Sequence, residues 1–393
     1  MISSKLSNTL SLTKVVLGTT LVLYPQMFKE NGILPMILSI ILIGGFLCST
    51  SLYFLYISSV MLKCTTYEEL GERVLGRATR RSIEVSIFLI GFFSLMVYLR
   101  MCGELVDNVS GCGVAKSKIV ATILCGVLSS FSSTISRLKI VNLIGLGCLF
   151  ILISTVFYQF LGNFKGFEGV NFKTTKTGFF NNFGIISLCF CSHFVIIPFF
   201  NSTKEEEYEN VYILSEPTRD GSTILLNSTT KDKDGLWIIV VSSFLSVFVY
   251  IFVGLFGYLS FPDTEENWAK NAFSNSLLNL FLSILLIAVI VLSYPLCVVA
   301  SRDMIPCMRS YPIASIWILT GVSSIFVFLM KDYSIISILF LSFGSLVMFI
   351  YPSIFYLKVV RPVAIYKRLL GGVTLTVGII MMIQSLKGMI QSF

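Results

Sequence analysis

Apolar runs long enough to cross a bilayer recur along this sequence from its first residues to its last. A helix needs about 20 predominantly apolar residues to span the hydrocarbon core. Eleven runs meet or approach that length: Leu12–Met27, Ile33–Leu62, Ser82–Val106, Ile119–Thr134, Leu138–Leu161, Phe179–Phe200, Leu236–Phe261, Leu277–Ala300, Ile313–Met330, Ile335–Leu357 and Leu369–Ile390. The first and fourth are the shortest. Charged residues make up 13% of the 393 positions, against about 25% in soluble domains. With a mean hydropathy of +0.86, too few side chains remain to give one water-facing skin. The expected fold class is an all-α integral membrane protein of eleven transmembrane helices. A cytosolic enzyme, a secreted disulfide domain and a nucleic-acid-binding module are excluded. The net charge is +8, yet the 29 Lys and Arg form no single basic arm, so no nucleic-acid partner is expected.

Cysteine and histidine usage adds little chemistry. Most of the ten cysteines, such as Cys48, Cys125, Cys148, Cys189, Cys191 and Cys297, sit inside apolar runs and read as small packing residues. One histidine and no C-x-x-C pair leave no basis for a metal site, and no cofactor is expected. The first run leads into an intact helix rather than a cleavage site, so no cleavable signal peptide is expected.

Orientation follows from Lys and Arg in alternate connections. The connections on the N-terminal side of the membrane carry 18 and the opposite set 9, with Lys14 and Arg100 inside helices. This predicts a cytoplasmic N-terminus (1–11) and an external C-terminus. Of the sequons at Asn108, Asn201 and Asn227, only Asn108 then lies outside. The connection 201–235 opens with Glu205, Glu206, Glu207 and Glu209 and reads as a solvated cytoplasmic loop.

Two runs are interrupted at polar points within the membrane. Gly18-Thr19-Thr20 interrupts the first, followed by Pro25; Cys191-Ser192-His193 interrupts the sixth, followed by Pro198. Glycine is a poor helix former and proline removes a backbone donor. Unwound backbone at membrane depth is tolerated only where it is buried or lines a cavity. Interruptions at matching positions of two repeats mark a transporter's central site; two mere kinks are the plainer alternative.

These residues carry a family resemblance. V-L-G-T-T-L-V-L-Y-P-Q-M-F-K-E-N-G (Val16–Gly32) resembles the opening helix of the amino acid/auxin permease family. T-T-Y-E-E-L-G-E-R-V-L-G (Thr65–Gly76) is similar to that family's first cytoplasmic loop, and F-C-S-H-F-V-I-I-P (Phe190–Pro198) to its sixth helix. Tyr250–Phe261, Leu292–Arg302 and Gly344–Lys358 resemble the seventh, eighth and tenth. Six motifs in order cover nearly the whole chain. The resemblance implies a LeuT-like 5+5 inverted repeat, with helices 1–5 over 12–161, helices 6–10 over 179–357 and an extra helix over 369–390.

It also implies that substrate amino and carboxylate groups lie against the two breaks, which nominates Gly18, Thr19, Thr20, Phe190, Ser192 and His193. Tyr98 on the third helix matches a tyrosine common in the family. Free N–H groups near Thr19 and Thr20 suit a carboxylate, and freed carbonyls suit an ammonium. Lys14 stands where sodium-coupled relatives usually have Asn. It either replaces the cation and exchanges a proton, or snorkels to the cytoplasmic interface from a helix that starts later. Ser293 is placed by the resemblance to offer its hydroxyl to the same region, or serves as a small packing residue. His193 either relays a proton or holds backbone freed by the break. Arg100, one turn before Glu104, pairs with it near the outer end or faces the cavity.

The function expected is secondary active transport of amino acids by a monomer in the lipid bilayer, proton-coupled and sodium-independent, in the plasma membrane or a vacuolar or other organelle membrane. An amino-acid-sensing receptor on the same fold is the alternative from another class, as is a sodium-coupled symporter within the first. A receptor is expected to carry a long cytoplasmic tail, and about a dozen residues precede the first run. A membrane enzyme needs a catalytic constellation that one histidine does not supply. The substrate's side chain is not legible.

Overall fold

The computed structural model describes residues 2–132, 135–164, 166–173, 185–201, 223–262, 277–330, 334–360 and 365–392. The N-terminal helix α1 (Ile2–Val16) starts ten residues before the apolar run, ends at an extended Gly18 (φ −88°, ψ −160°), and is followed by a tight turn over Thr19–Leu23 and by α2 (Tyr24–Asn31). The two axes differ by 55°. Pro25 in the first turn of α2 explains where the helix resumes, because proline's missing donor costs nothing there.

The chain continues as α3 (Ile33–Leu62), amphipathic α4 (Tyr67–Leu75), α5 (Arg77–Ser110), α6 (Val114–Phe131) and α7 (Ile135–Asn163). The second half comprises α8 (Ile185–Asn201), α9 (Thr223–Ser260), α10 (Leu277–Asp303), the short α11 (Pro306–Ser310), α12 (Pro312–Leu329), α13 (334–359) and α14 (Ile365–Ser392). Among the described residues, nine helices are long and apolar enough to cross a membrane: α3, α5, α6, α7, α9, α10, α12, α13 and α14. The bent pair α1/α2 and the shorter, broken α8 lie between them in sequence. Such a chain is a multi-pass membrane protein. Asn227 lies within α9, whereas the acidic run 205–209 and residues 179–184 fall outside the described residues.

Burial sorts the helices. In α10, 61% of the most apolar window is buried and in α9 56%, against 28% in both α6 and α14. The first two are therefore central and the last two peripheral. Peripheral faces present large apolar side chains such as Ile123, Val127, Leu369 and Val373 outward, as expected where the solvent is lipid. Small residues permit the closest helix contacts. A Cβ on Gly91 of α5 would meet Ser301 of α10 at 1.9 Å, and one on Gly126 of α6 would meet Trp317 of α12 at 2.7 Å.

Connections are fixed by local chemistry. Thr66 caps α4 by accepting the Glu69 N–H, while the Glu69 carboxylate takes the Thr65 N–H at 2.8 Å; T-T-x-x-E is thus a capping box displaced by one residue. Gly32, the last residue of the opening motif, has φ +85°, and its missing Cβ would stand 2.8 Å from the Lys173 backbone. The segment 166–173 accepts the Ile33 and Leu34 N–H groups on Asn171 O and Phe172 O (3.0 and 3.3 Å), satisfying two donors of the α3 N-terminus.

Two helices carry wider turns, Ile40–Cys48 in α3 and Leu346–Ile350 in α13. Such a bulge frees backbone carbonyls. Tyr67 of α4 donates to Val347 O at 2.7 Å, and Ser51 of α3 donates to Met348 O. The loop motif is thereby tied to the tenth apolar run.

Candidate transport site at two broken helices

The α1/α2 break and the break in α8 share one backbone signature. Gly18 N–H donates to Val16 O at 2.9 Å, and Ser192 N–H donates to Phe190 O at 3.0 Å. A bond to the carbonyl two residues back reverses the chain too tightly for a helix and strands the carbonyls of the preceding turn. Both interruptions read from the sequence are therefore real breaks in helical bonding.

Stranded carbonyls of buried residues need partners, and one side chain serves both breaks. Tyr250 of α9 is fully buried, and its hydroxyl lies 2.8 Å from Val16 O and 3.1 Å from Cys189 O. Thr20 Oγ1 lies 3.0 Å from the same phenol oxygen. The Tyr250 ring stacks on Tyr24 (4.2 Å between centroids) and tilts against Phe190 (5.0 Å). Tyr98 closes the other side: a Cβ on Gly18 would stand 3.1 Å from its hydroxyl. Gly18, Thr20, Tyr98 and Phe190 thus converge. The Thr19 backbone starts the tight turn.

Ser192 and His193 are both fully buried, but the bond His193 makes leads elsewhere. Its Nε2 lies 3.1 Å from Ser51 Oγ, and Ser51 has already committed its proton to Met348 O. Nε2 must therefore donate. Nδ1 and the Ser192 hydroxyl are buried without a hydrogen-bond partner. His193 joins the α8 break to α3 and α13 rather than to the Tyr250 node.

Lys14 is buried, at 3% exposure, on the last turn of α1. Its ammonium donates to Ser293 Oγ of α10 at 2.6 Å, and Ser293 passes its proton to Val289 O at 2.7 Å. Gly145 of α7 makes room, since a Cβ there would meet Lys14 Cε at 2.6 Å. An α1 that begins at Ile2 places Lys14 three turns inside the helix, and this geometry does not fit a side chain snorkelling from a late start. Among the described residues, Lys14 and Arg302 are the buried charged side chains, and no carboxylate pairs with Lys14. Arg100 makes the expected ion pair with Glu104 at 2.8 Å in a partly exposed setting.

The residues missing from the sequence reading were Tyr250 and Ser51. Tyr250 had a signal: a tyrosine one turn before Gly254, which α2 approaches so closely that a Cβ would meet Phe28 at 2.5 Å. Ser51 had none, being one serine among several.

Residues 1–215 match the family model described as transmembrane amino acid transporter protein. The chain belongs to that family. Within it, the chain is similar to the vacuolar amino acid transporter 7 of Saccharomyces cerevisiae, with 24% identity over 314 residues, or 75% of this chain. It spans 57% of the length of that curated relative. Among solved structures it resembles MHP1, a nucleobase-cation-symport-1 family transporter in a closed conformation with bromovinylhydantoin bound, at a TM-score of 0.61. That match covers 98% of this chain and 91% of the other at 11% identity, and so speaks to the fold alone. For this family member the likeness means that the two broken helices sit in a fold shared with that structure.

Proposed function

We propose that the protein is a secondary active transporter of amino acids, coupled to protons and independent of sodium. The bent pair α1/α2 and α8 complete eleven crossings in this reading, arranged as two inverted sets of five plus α14, with the N-terminus in the cytoplasm. The observation that carries it is the pair of matched breaks joined at Tyr250. A zwitterion needs donors for its carboxylate and acceptors for its ammonium within a few ångströms. N–H groups opening the Thr19–Leu23 turn supply the donors, and Val16 O and Cys189 O supply the acceptors. Thr20 and Tyr98 add hydroxyls, Phe190 an apolar wall, and Ser192 and His193 the backbone that opens the second half of α8.

Lys14 and Ser293 form the coupling site. A sodium ion held by neutral oxygens would face an ammonium there, and at about 4–6 Å two like charges repel strongly in a partly dry site. The lysine proton takes the ion's place, gained when the cavity opens to the acidic side and released on the other. No further cofactor is needed, one chain suffices, and the bilayer is either the plasma membrane or an organelle membrane such as the vacuole's. Counterflow uptake of a labelled amino-acid mixture into proteoliposomes tests the assignment. Accumulation of one or a few amino acids is expected, and no exchange of any of them overturns it.

A further inference from the structure

The Tyr250 hydroxyl has one proton, yet it stands between two carbonyls, Val16 O at 2.8 Å and Cys189 O at 3.1 Å. It can bond fully to only one of them at a time. Its oxygen is also within 3.0 Å of Thr20 Oγ1. Two acceptors from opposite half-helices and a hydroxyl around one point make a coordination shell suited to a group with three donors. A primary ammonium would satisfy both carbonyls at once and keep an N–H for Thr20. The rings of Tyr24 and Phe190 pack against the Tyr250 ring that carries this hydroxyl, and aromatic rings near a site favour a cation there. No buried carboxylate is present among the described residues, so the position would take the ammonium of a zwitterion.

We propose that Tyr250 is an internal stand-in for the substrate's ammonium: its hydroxyl latches the two breaks together in the substrate-free protein and is displaced when substrate enters. This rests on the transporter reading and adds a specificity-determining residue to it. The ring stays packed on Tyr24, while the half-helices move apart by the width of the incoming group and exchange a phenol bond for ammonium bonds. Substrate therefore competes with a group belonging to the protein. Molecules lacking the ammonium gain nothing from displacing it, so the latch favours amino acids over plain carboxylates.

Tyr250→Phe keeps the stacked ring and removes only the latch. In proteoliposomes, counterflow of labelled L-alanine, L-glutamine, L-lysine and L-glutamate is measured singly for wild type and variant. For whichever is carried, the half-saturation concentration should fall about 2- to 10-fold in the variant, the worth of one hydrogen bond that no longer has to be broken. A rise means that the hydroxyl is a direct substrate ligand, and no change means that it is structural; either result overturns the proposal. A second readout needs no substrate. Maleimide labelling of Cys189, just before the α8 break, and Cys191, within it, should speed up in substrate-free Tyr250→Phe, and equal rates overturn the latch. If wild type carries none of the four, the full labelled mixture is tried; exchange of none of its members means that the transporter reading fails, and the cysteine rates still decide the latch.

Discussion

At Gly18 the chain needs an absent side chain more than a flexible backbone. Its φ of −88° is open to any residue, but the Tyr98 hydroxyl stands 3.1 Å from where a Cβ would be. Gly18→Leu should abolish amino-acid uptake while leaving folding and membrane insertion intact, as checked by uptake at equal surface abundance; near-normal uptake would reduce the break to a kink. Ser51 tests a different contact. Its removal leaves both the Met348 carbonyl and His193 Nε2 buried without partners, and such groups cost about 1–3 kcal/mol each. Ser51→Ala should therefore lower the melting temperature of the purified protein more than Ser154→Ala, whose exposed hydroxyl bonds only within its own helix. Gly18, Thr20 and Lys14 were legible in the sequence because glycine, polar residues and a charge stand out in an apolar run. Tyr250 was legible only as a tyrosine near Gly254 and Ser51 not at all, since their roles depend on carbonyls stranded in other helices, and no local pattern records a partner more than sixty residues away.

Among the elements, α4 and the turn before α3 owe their positions to particular residues. Gly32→Ala would force a side chain into φ +85° and against the Lys173 backbone. That positive-φ, extended backbone (ψ +156°) alone costs about 1–3 kcal/mol for a residue with a side chain. Loss of melting temperature, together with faster hydrogen exchange at Ile33 and Leu34, is the expected result. At the α4 cap, the Thr65 backbone N–H, aided by the Thr65 hydroxyl and Arg73, holds the Glu69 carboxyl below the usual carboxylate range. A depressed carboxyl stabilises the folded state above its ordinary pKa, and that contribution fades as the pH falls through the lowered value. Amide exchange in Tyr67–Leu75 should therefore accelerate on acidification in wild type, and Glu69→Gln should flatten that response. The break prolines and most helices could be read from the sequence. The helix ends could not: α1 begins at Ile2 and α5 extends over Arg77–Ser110, because polar residues continue a helix into the interface once its apolar middle is anchored. The bulges at Ile40–Cys48 and Leu346–Ile350 lie in unbroken apolar runs, where composition carries no sign of an extra residue per turn.

For the molecule as a whole, the proposed transport cycle draws on a membrane bundle, two matched breaks and a buried lysine. Its orientation rests on the two-to-one excess of Lys and Arg in the connections on the N-terminal side. Asn227 should accordingly carry no glycan, and an endoglycosidase-sensitive glycan there would invert the scheme. The proposed proton coupling depends on an ammonium that bonds to Ser293 and has no carboxylate partner among the described residues. The direct measurement is uptake of labelled amino acids by proteoliposomes containing wild type or Lys14→Ala, with sodium replaced by choline and with or without an inward proton gradient. Wild-type uptake should be indifferent to the replacement and stimulated by the gradient, and Lys14→Ala should lose most of that stimulation while remaining folded. Uptake that collapses without sodium, or a Lys14→Ala protein with the full proton response, would contradict the account.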